Sequence, residues 1–596
     1  MNQDDKNLIF LATTGLEEFW DIKKPIVFLG DWCLRYSRQA IWKDLNYEVL
    51  PGIWRDKKKF IDAFKYLNNI YEHLLYKIAF LLDEIHKEKH DIRYWRIIIG
   101  PWLFHYIDVL YDRYVSIQEV ISRYITFETI GLCEENFITP KSTLEFHLLT
   151  QDDPYNLQIY TRILSAGKYN FSHKPFEIKR KDQMILNKNI YNITKKKIIA
   201  FCLESIEKIG SKSSVYLVNP FFQKSLLIKF FLRSRGKIKP LFLSNEEIPN
   251  IKLNKSMRSY FNVISCNNNE FEKLIMQLLP HDIPYVFLEG YKMMEHKSLN
   301  YPRNPRAIMS WASWYFDELF KIWAASAAES GTSLLGVQHG GNYGIDQCMR
   351  VLDHENAITD KFYSWGWNCK ELDDRIVPLP SSKVIGRKKS TKTNKNILFV
   401  GTASPRYLYR MQYPTNNHLE KYFEDQLIFL KNIDPSCKKL IRYRVFIQDY
   451  GFDIIKRIQN IYPDVVVEDW TIPFSESLEN CRLFVCDHLS TVHAEALSLN
   501  VPTILFWDCD SYIHKTNACQ SFENLHAIGI LHYSPESAAN TVNKIYDNIN
   551  DWWNESERQS ARLEFCNQFA RNSVNSVDEW INEFKKMINS TPTDNN

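Results

Sequence analysis

The sequence predicts an α/β protein built from two Rossmann-like, doubly wound domains that face a cleft, and three observations carry that expectation. Short apolar runs rich in β-branched and aromatic residues alternate with stretches whose apolar residues recur at three- and four-residue spacing, the pattern of a mostly parallel sheet. A Pro/Ser break with a basic run behind it, within Val377–Lys395, divides the chain. Beyond it, Val485–Asp508 (VCDHLSTVHAEALSLNVPTILFWD) reads as a buried strand, a small polar turn, a short helix and a second buried strand.

In chain order, strands are expected at Asn7–Thr13, Pro25–Gly30, Ser214–Asn219, Lys239–Leu243, Tyr285–Glu289, Ala307–Ser310 and Ser333–Gln338, all in an N-terminal domain spanning 1–376. A helical insertion interrupts it over about 57–130, where Lys57–Lys89 and Ile117–Ile130 carry helical spacing, and is expected to be accessory. Residues 377–395 form the linker. The second domain, 396–550, runs strand Asn396–Gly401, helix His418–Asn432, strand Leu440–Ile447, helix Asp453–Tyr462, strand Asp464–Glu468, short helix Ser475–Asn480 and then the 485–508 segment. Helices at Ser534–Asn548 and Glu555–Phe569 close the chain, and 551–596 ends in a polar tail.

Composition excludes several classes of function. With 74 basic against 71 acidic residues, no global field points to nucleic acid as a partner. The 12 cysteines form neither a CxxC pair nor a His/Cys cluster at zinc spacing, so no structural metal or disulfide framework is expected and a reducing cytoplasm is the expected location. The start, MNQDDKNLIFLATTG, lacks the basic region of a secretory signal, and apolar runs such as Trp95–Leu110 are broken by Arg96, His105 and Asp108 before they reach a membrane-spanning length. Basic runs at Lys195–Lys197 and Arg387–Lys395 are either solvated loops or peripheral contacts with anionic headgroups of the inner membrane.

The turn His488-Leu489-Ser490-Thr491 places hydroxyls and free backbone N–H groups at a helix start, where the positive end of the helix favours phosphate. The competing reading is that Ser490 or Thr491 simply caps the helix. His493 and Glu495 follow on that helix, His493 as ligand contact or packing residue. Gly401-Thr402, at the exit of the domain's first strand, is a turn able to expose N–H groups, with Arg406 close behind. Arg442 and Arg444 share one face of a strand, where a guanidinium reaches either a phosphate or a sheet neighbour, and Asp469 stands by position near a ribose or base.

Three N-terminal segments carry the catalytic candidates. In Gly336-Val-Gln-His-Gly-Gly-Asn-Tyr-Gly344, His339 follows a strand where a sheet's carboxyl edge opens, either as proton carrier and donor contact or as a hydrogen-bonded turn residue. Glu289 follows the apolar run Tyr285–Leu288, as a general base or nucleophile or as a surface carboxylate. Asp31, between Gly30 and Trp32, is either a catalytic carboxylate with a tuned pKa or a turn cap. Their neighbours Trp32, Tyr291, Lys292, Gln338 and Asn342 are the expected acceptor or sugar contacts. Asp508-Cys-Asp510 has the spelling of a metal-holding Asp-x-Asp, but two aspartates at this spacing arise readily by chance and no metal is expected.

Two such domains with a linker and closing helices resemble the GT-B glycosyltransferases, the likeness being carried by about 396–550 and by Glu495 and Pro502 in the donor-binding segment. The resemblance implies a nucleotide sugar on the C-terminal domain, an acceptor on the N-terminal one, and chemistry in the cleft without a required metal. More narrowly, the Ser490-Thr491 pair resembles the phosphate-binding pair of bacterial surface-polysaccharide transferases that use CMP-activated ulosonic acids such as Kdo, pseudaminic and legionaminic acid. The segments LATTGLEEFW, IVFLGDWC and GVQHGGNYG are similar to a group of transferases encoded among surface-glycan genes. Glu289-Gly-Tyr resembles an element of capsule-type Kdo transferases, although Lys292-Met293 stand where that family has Arg-Pro. This implies transfer of a nonulosonic acid or Kdo from CMP to a glycan or lipid-linked glycan, with retention of configuration. An NDP-hexose transferase and a noncatalytic glycan- or nucleotide-binding module are the alternatives.

Overall fold

The computed structural model describes residues 9–180, 214–243, 247–263, 269–368, 375–387 and 394–589. The run Lys195–Lys197, the middle of the expected linker and the Pro592–Asn596 tail lie outside the described residues.

Three parallel sheets and a short two-stranded pair organise the chain. The first sheet holds β1 (Ile9–Ala12), β2 (Ile26–Phe28), β3 (Tyr47–Val49) and β4 (Phe127–Glu128) in the order β3-β2-β1-β4. The pair is β5 (Ile130–Leu132) with β6 (Ser172–Lys174). The second sheet holds β7 (Val215–Val218), β8 (Ile238–Leu241), β9 (Ala307–Ser310), β10 (Ser333–Val337), β11 (Lys361–Ser364) and β12 (Ile376–Pro378), ordered β12-β11-β10-β9-β7-β8. The third holds β13 (Ile397–Val400), β14 (Ile441–Arg444), β15 (Val466–Val467), β16 (Leu483–Cys486), β17 (Thr503–Phe506) and β18 (Leu531–His532), ordered β15-β14-β13-β16-β17-β18. Strands β7, β9, β13, β16 and β17 are buried at every position, which is why their sequences are unbroken apolar runs rather than alternating ones.

The predicted class, α/β with two doubly wound parallel sheets and helical additions, is the class observed, and four details differ. The N-terminal half contains two parallel sheets, because the long helices α1 (Lys57–His86) and α2 (Ile92–Arg123) separate β3 from β4 and the chain then enters a new sheet at β7. Those helices are not accessory. Ile97, Ile98, Trp102, Leu103 and Ile107 of α2 are fully buried, and a helix apolar on all sides belongs inside. Tyr285–Phe287 is a 3-10 turn rather than a strand, a short apolar run being equally compatible with either. Finally, Val377-Pro378 ends the second sheet, so the linker begins later than expected.

Further helices frame the site: α3 (Arg350–Ile358) behind β10, α4 (Leu419–Asn432) and α5 (Thr491–Ser498) on the third sheet, and α6 (Ser556–Phe569) and α7 (Ser576–Asn589) at the end. The last of these returns to the second sheet, where Trp580, Ile581 and Phe584 pack with Leu217 and Phe230. No helix among the described residues is long and apolar enough to cross a membrane.

Candidate functional site

In the third sheet the domain's first strand, β13, lies between its second and fourth, β14 and β16. Such a switch point opens a crevice at the carboxyl ends of the strands, where ligands of open α/β sheets bind. Here the crevice is a cavity of about 220 Å³ lined among others by Asn342, Thr402, Ser404, Arg410, His488 and Ser490. A second, more apolar cavity adjoins it, sharing Thr402, Ser404, His488 and Tyr512, and reaches Tyr422, Asp487 and Trp507.

The turn after β16 is stiffened from several sides. Ser490 N–H donates to His493 Nδ1 at 3.0 Å, and Leu489 N–H donates to the Tyr512 hydroxyl at 2.9 Å. The Ser490 hydroxyl lies over the first turn in capping-box fashion but completes no hydrogen bond of full geometry, so its buried oxygen remains available. His488 Nδ1 stands 2.8 Å from Asp487 Oδ1. Burial alone would lower the His488 pKa, but the neighbouring Cys486 sulfur and Asp487 carboxylate outweigh it and raise it to about 10. A cationic imidazole, a serine oxygen and a helix N-terminus therefore meet at one wall of the cavity.

The second sheet reaches the same wall through the loop after β10. Gly341 N–H donates to Thr491 Oγ1 at 3.1 Å, and a Cβ at Gly341 would lie 2.2 Å from the Ser490 carbonyl oxygen, so only glycine permits this approach. His339, with its side chain 21% exposed, lies 3.1 Å through Nδ1 from the Tyr343 hydroxyl and 3.6 Å from Glu355 Oε1. Burial pushes His339 down to about 3 and Glu355 well above the usual carboxylate range, which favours a neutral imidazole. Asn342 lines the larger cavity and donates to Asp346 at 2.8 Å; burial raises Asp346 to about 7, against the hydrogen bonds from Asn342 and Gln412.

Several expected site residues have other occupations. Glu289 is a buried partner of Arg258, which grips both carboxylate oxygens at 2.8 and 2.9 Å, while Asn254 N–H adds a third bond. Tyr291 is buried against α1 and α2, donating to Glu88 and bonded to Tyr94, and Lys292 is 53% exposed and paired with Glu88 and Glu295. Gln338 holds the loop: its Oε1 accepts from Trp365 N–H and Trp367 Nε1–H, and its Nε2 donates to the Gly340 carbonyl. Trp32 is buried, with its indole N–H on the Thr13 carbonyl. Arg406 is a buried clamp on Asp153 and the Trp32 carbonyl. Arg444 pairs with Glu468 at 2.7 Å and covers the Trp470 ring. Glu495 pairs with Arg387 at 2.8 Å, and His493 is fully buried and held neutral, its pKa driven to about 3 by burial. Asp469 is exposed and caps Thr471 N–H. Arg442 donates only to nearby backbone carbonyls, away from the crevice.

Gly401 lies at the exit of β13, where a Cβ would crowd Gln426 and Tyr443, and Thr402 lines both cavities with its N–H on the Tyr422 hydroxyl. Asp31 is partly exposed, and burial raises its pKa against the nearby Arg55. None of Asp31, Glu289 and His339 is among the residues lining the two cavities; His339 belongs to the loop whose Asn342 does line the larger one, and the carboxylate pair expected for a double displacement is not assembled there. Asp508, Cys509 and Asp510 lie close enough together to share an ion, but at a partly exposed rim where Asp510 pairs with Lys57.

Sequence reasoning missed Arg410, Glu355 and Asp346. Arg410 was legible as the second arginine of Arg406-Tyr-Leu-Tyr-Arg410, but which arginine is spent on an ion pair depends on Asp153, far away in the chain. Glu355 and Asp346 sit in ordinary helical and loop sequence, and only their burial distinguishes them.

Among solved structures, the chain is similar to UGT89C1 of Arabidopsis thaliana, with 13% identity over 63% of this chain and 100% of that one at a TM-score of 0.35. It is similar to MurG of Acinetobacter baumannii, with 9% identity over 63% of this chain and 99% of that one at 0.31. A third likeness is to the spinosyn forosaminyltransferase SpnP, with 11% identity over 64% of this chain and 100% of that one at 0.32. At such TM-scores these likenesses add nothing to what the strand order shows. Comparison with curated protein sequences gives no match. A family model, in contrast, matches residues 9–584, nearly the whole length from β1 to α7, and the chain therefore belongs to the LIC12162 family of transferases.

Proposed function

We propose that the protein is a glycosyltransferase that moves an ulosonic acid, a nonulosonic acid or Kdo, from its CMP-activated donor to a glycan or lipid-linked glycan acceptor. The observation that carries this reading is the switch-point cavity, whose wall combines His488, the Ser490 oxygen and the start of α5. Those groups suit one phosphate. The adjoining cavity beside Trp507 and Tyr422 takes the nucleoside. In the reaction the bond between the anomeric carbon and the phosphate oxygen breaks, and CMP leaves with the electron pair, its charge met by His488 and the helix end. The acceptor hydroxyl forms the new bond and releases its proton, and neutral His339, which Tyr343 and Glu355 orient, accepts the hydrogen bond of that hydroxyl as it attacks. The phosphate charge is balanced by protein groups, so the reaction proceeds without a metal. The enzyme works in the cytoplasm, at the inner face of the membrane when its acceptor is lipid-linked.

Calorimetric titration with CMP tests the site. CMP binds the wild type with or without EDTA, and His488→Gln weakens it about tenfold, the size of one charge-assisted hydrogen bond. Binding of UDP or GDP with no binding of CMP would reject the donor assignment in favour of a diphosphate sugar.

A further inference from the structure

The larger cavity has a second cationic pole that the phosphate wall does not use. Arg410 lines it, and its guanidinium makes no hydrogen bond or ion pair with the described residues; it packs only over the Tyr409 ring at 5.0 Å. Other arginines around the cleft are spent: Arg406 on Asp153, Arg350 on Asp108, Arg113 on Asp112, Arg387 on Glu495. Asp346, a carboxylate that feels its charge, is occupied at Oδ2 by Asn342 and Gln412. The charge of Arg410 acts on His339, Tyr343, Asp346 and His147 and also on Tyr450, whereas His488 is governed by Cys486 and Asp487.

We propose that Arg410 is the specificity residue for the transferred group, binding a carboxylate carried by the donor sugar itself. The inference rests on the phosphate reading given above and adds a second anionic subsite to the same cavity. A guanidinium offers two parallel N–H donors to a carboxylate, and this one lines the same cavity as His488 and Ser490, where a sugar joined to the phosphate must lie. A neutral hexose would leave this partly buried cation unpaired, so the residue also rejects neutral sugars.

The test compares three probes, CMP, a CMP-linked nonulosonic acid and the methyl ester of that donor's carboxylate, against wild type, Arg410→Met and Arg410→Lys. In the expected result Arg410→Met weakens the donor at least tenfold and changes CMP less than twofold. Arg410→Lys falls between, and wild type binds the ester no better than Arg410→Met binds the acid. Equal losses for CMP and donor would make Arg410 a phosphate ligand and overturn the proposal. Equal wild-type affinity for acid and ester overturns it also, and this arm decides the matter if Arg410→Met does not fold. Failure of wild type to bind CMP at all would instead reject the phosphate site on which the inference stands.

Discussion

Gly341 and Asp346 show how single positions set the site. With the Ser490 carbonyl oxygen 2.2 Å from where a Cβ would stand, Gly341→Ala must push the β10 loop away from α5. Overpacking of this kind costs about 1–3 kcal/mol. A lowered melting temperature together with weaker CMP binding is expected, and unchanged CMP affinity would show that the loop does not shape the cavity. Asp346 gives a pH signature. Its folded pKa of about 7 lies above the ordinary 3.8, so between these values the folded protein keeps a proton that the unfolded chain has lost. Stability therefore falls as pH rises through that window, by about 4 kcal/mol in the limit of the shift. Asp346→Asn should flatten the slope, melting above wild type at pH 8 but not at pH 4, as followed by circular dichroism. The Gly-Gly after His339 made that loop legible in the sequence. Nothing local announced Asp346, because its shift arises from burial across a seam closed by Gln412, far along the chain.

At the scale of elements, long apolar runs bounded by turn residues were readable. The expected strand Ala307–Ser310 is β9, and Asn396–Gly401 and Leu440–Ile447 contain β13 and β14. Asp464–Glu468 likewise contains β15, but the short edge strands β3 and β18 were not predicted, since two or three residues carry no periodicity. Tyr285–Glu289 failed for a related reason, its apolar residues serving a buried turn held to Pro140 and Lys141 carbonyls. The consequence for Glu289 is testable. Removing one partner of a buried pair costs about 3–5 kcal/mol. Glu289→Ala should therefore lower the denaturation midpoint strongly while the folded fraction keeps wild-type turnover, whereas a catalytic carboxylate would lose turnover at unchanged stability.

Over the whole molecule, the two halves meet at the cavity through the segment 401–418 and the loop after β10. Arg406 reaches Asp153, Arg113 donates to the Leu408 carbonyl, Met411 N–H donates to Asp108 at 2.8 Å, and Gly341 meets Thr491. Burial would raise the Asp153 pKa, but Arg406, Tyr407 and Gly15 N–H hold it below the ordinary value. The clamp is thus intact above the usual carboxylate range and is lost as pH falls below it. Asp153→Asn should speed hydrogen exchange across 401–418 at neutral pH and weaken CMP binding; unaltered exchange would mean that other contacts hold this segment. The doubly wound third sheet was visible in sequence because periodicity is local. The three-sheet arrangement, the α2 spine and this clamp were not, because each depends on contacts between distant segments. The central claim, transfer from a CMP-activated acidic sugar, is tested most directly by offering the purified enzyme CMP-, UDP- and GDP-linked donors with a glycan acceptor and measuring the nucleotide released. The account predicts release of CMP from the ulosonic donor, abolished in Ser490→Ala/His488→Gln and reduced about a hundredfold or more in His339→Ala. Release of UDP or GDP alone would contradict it.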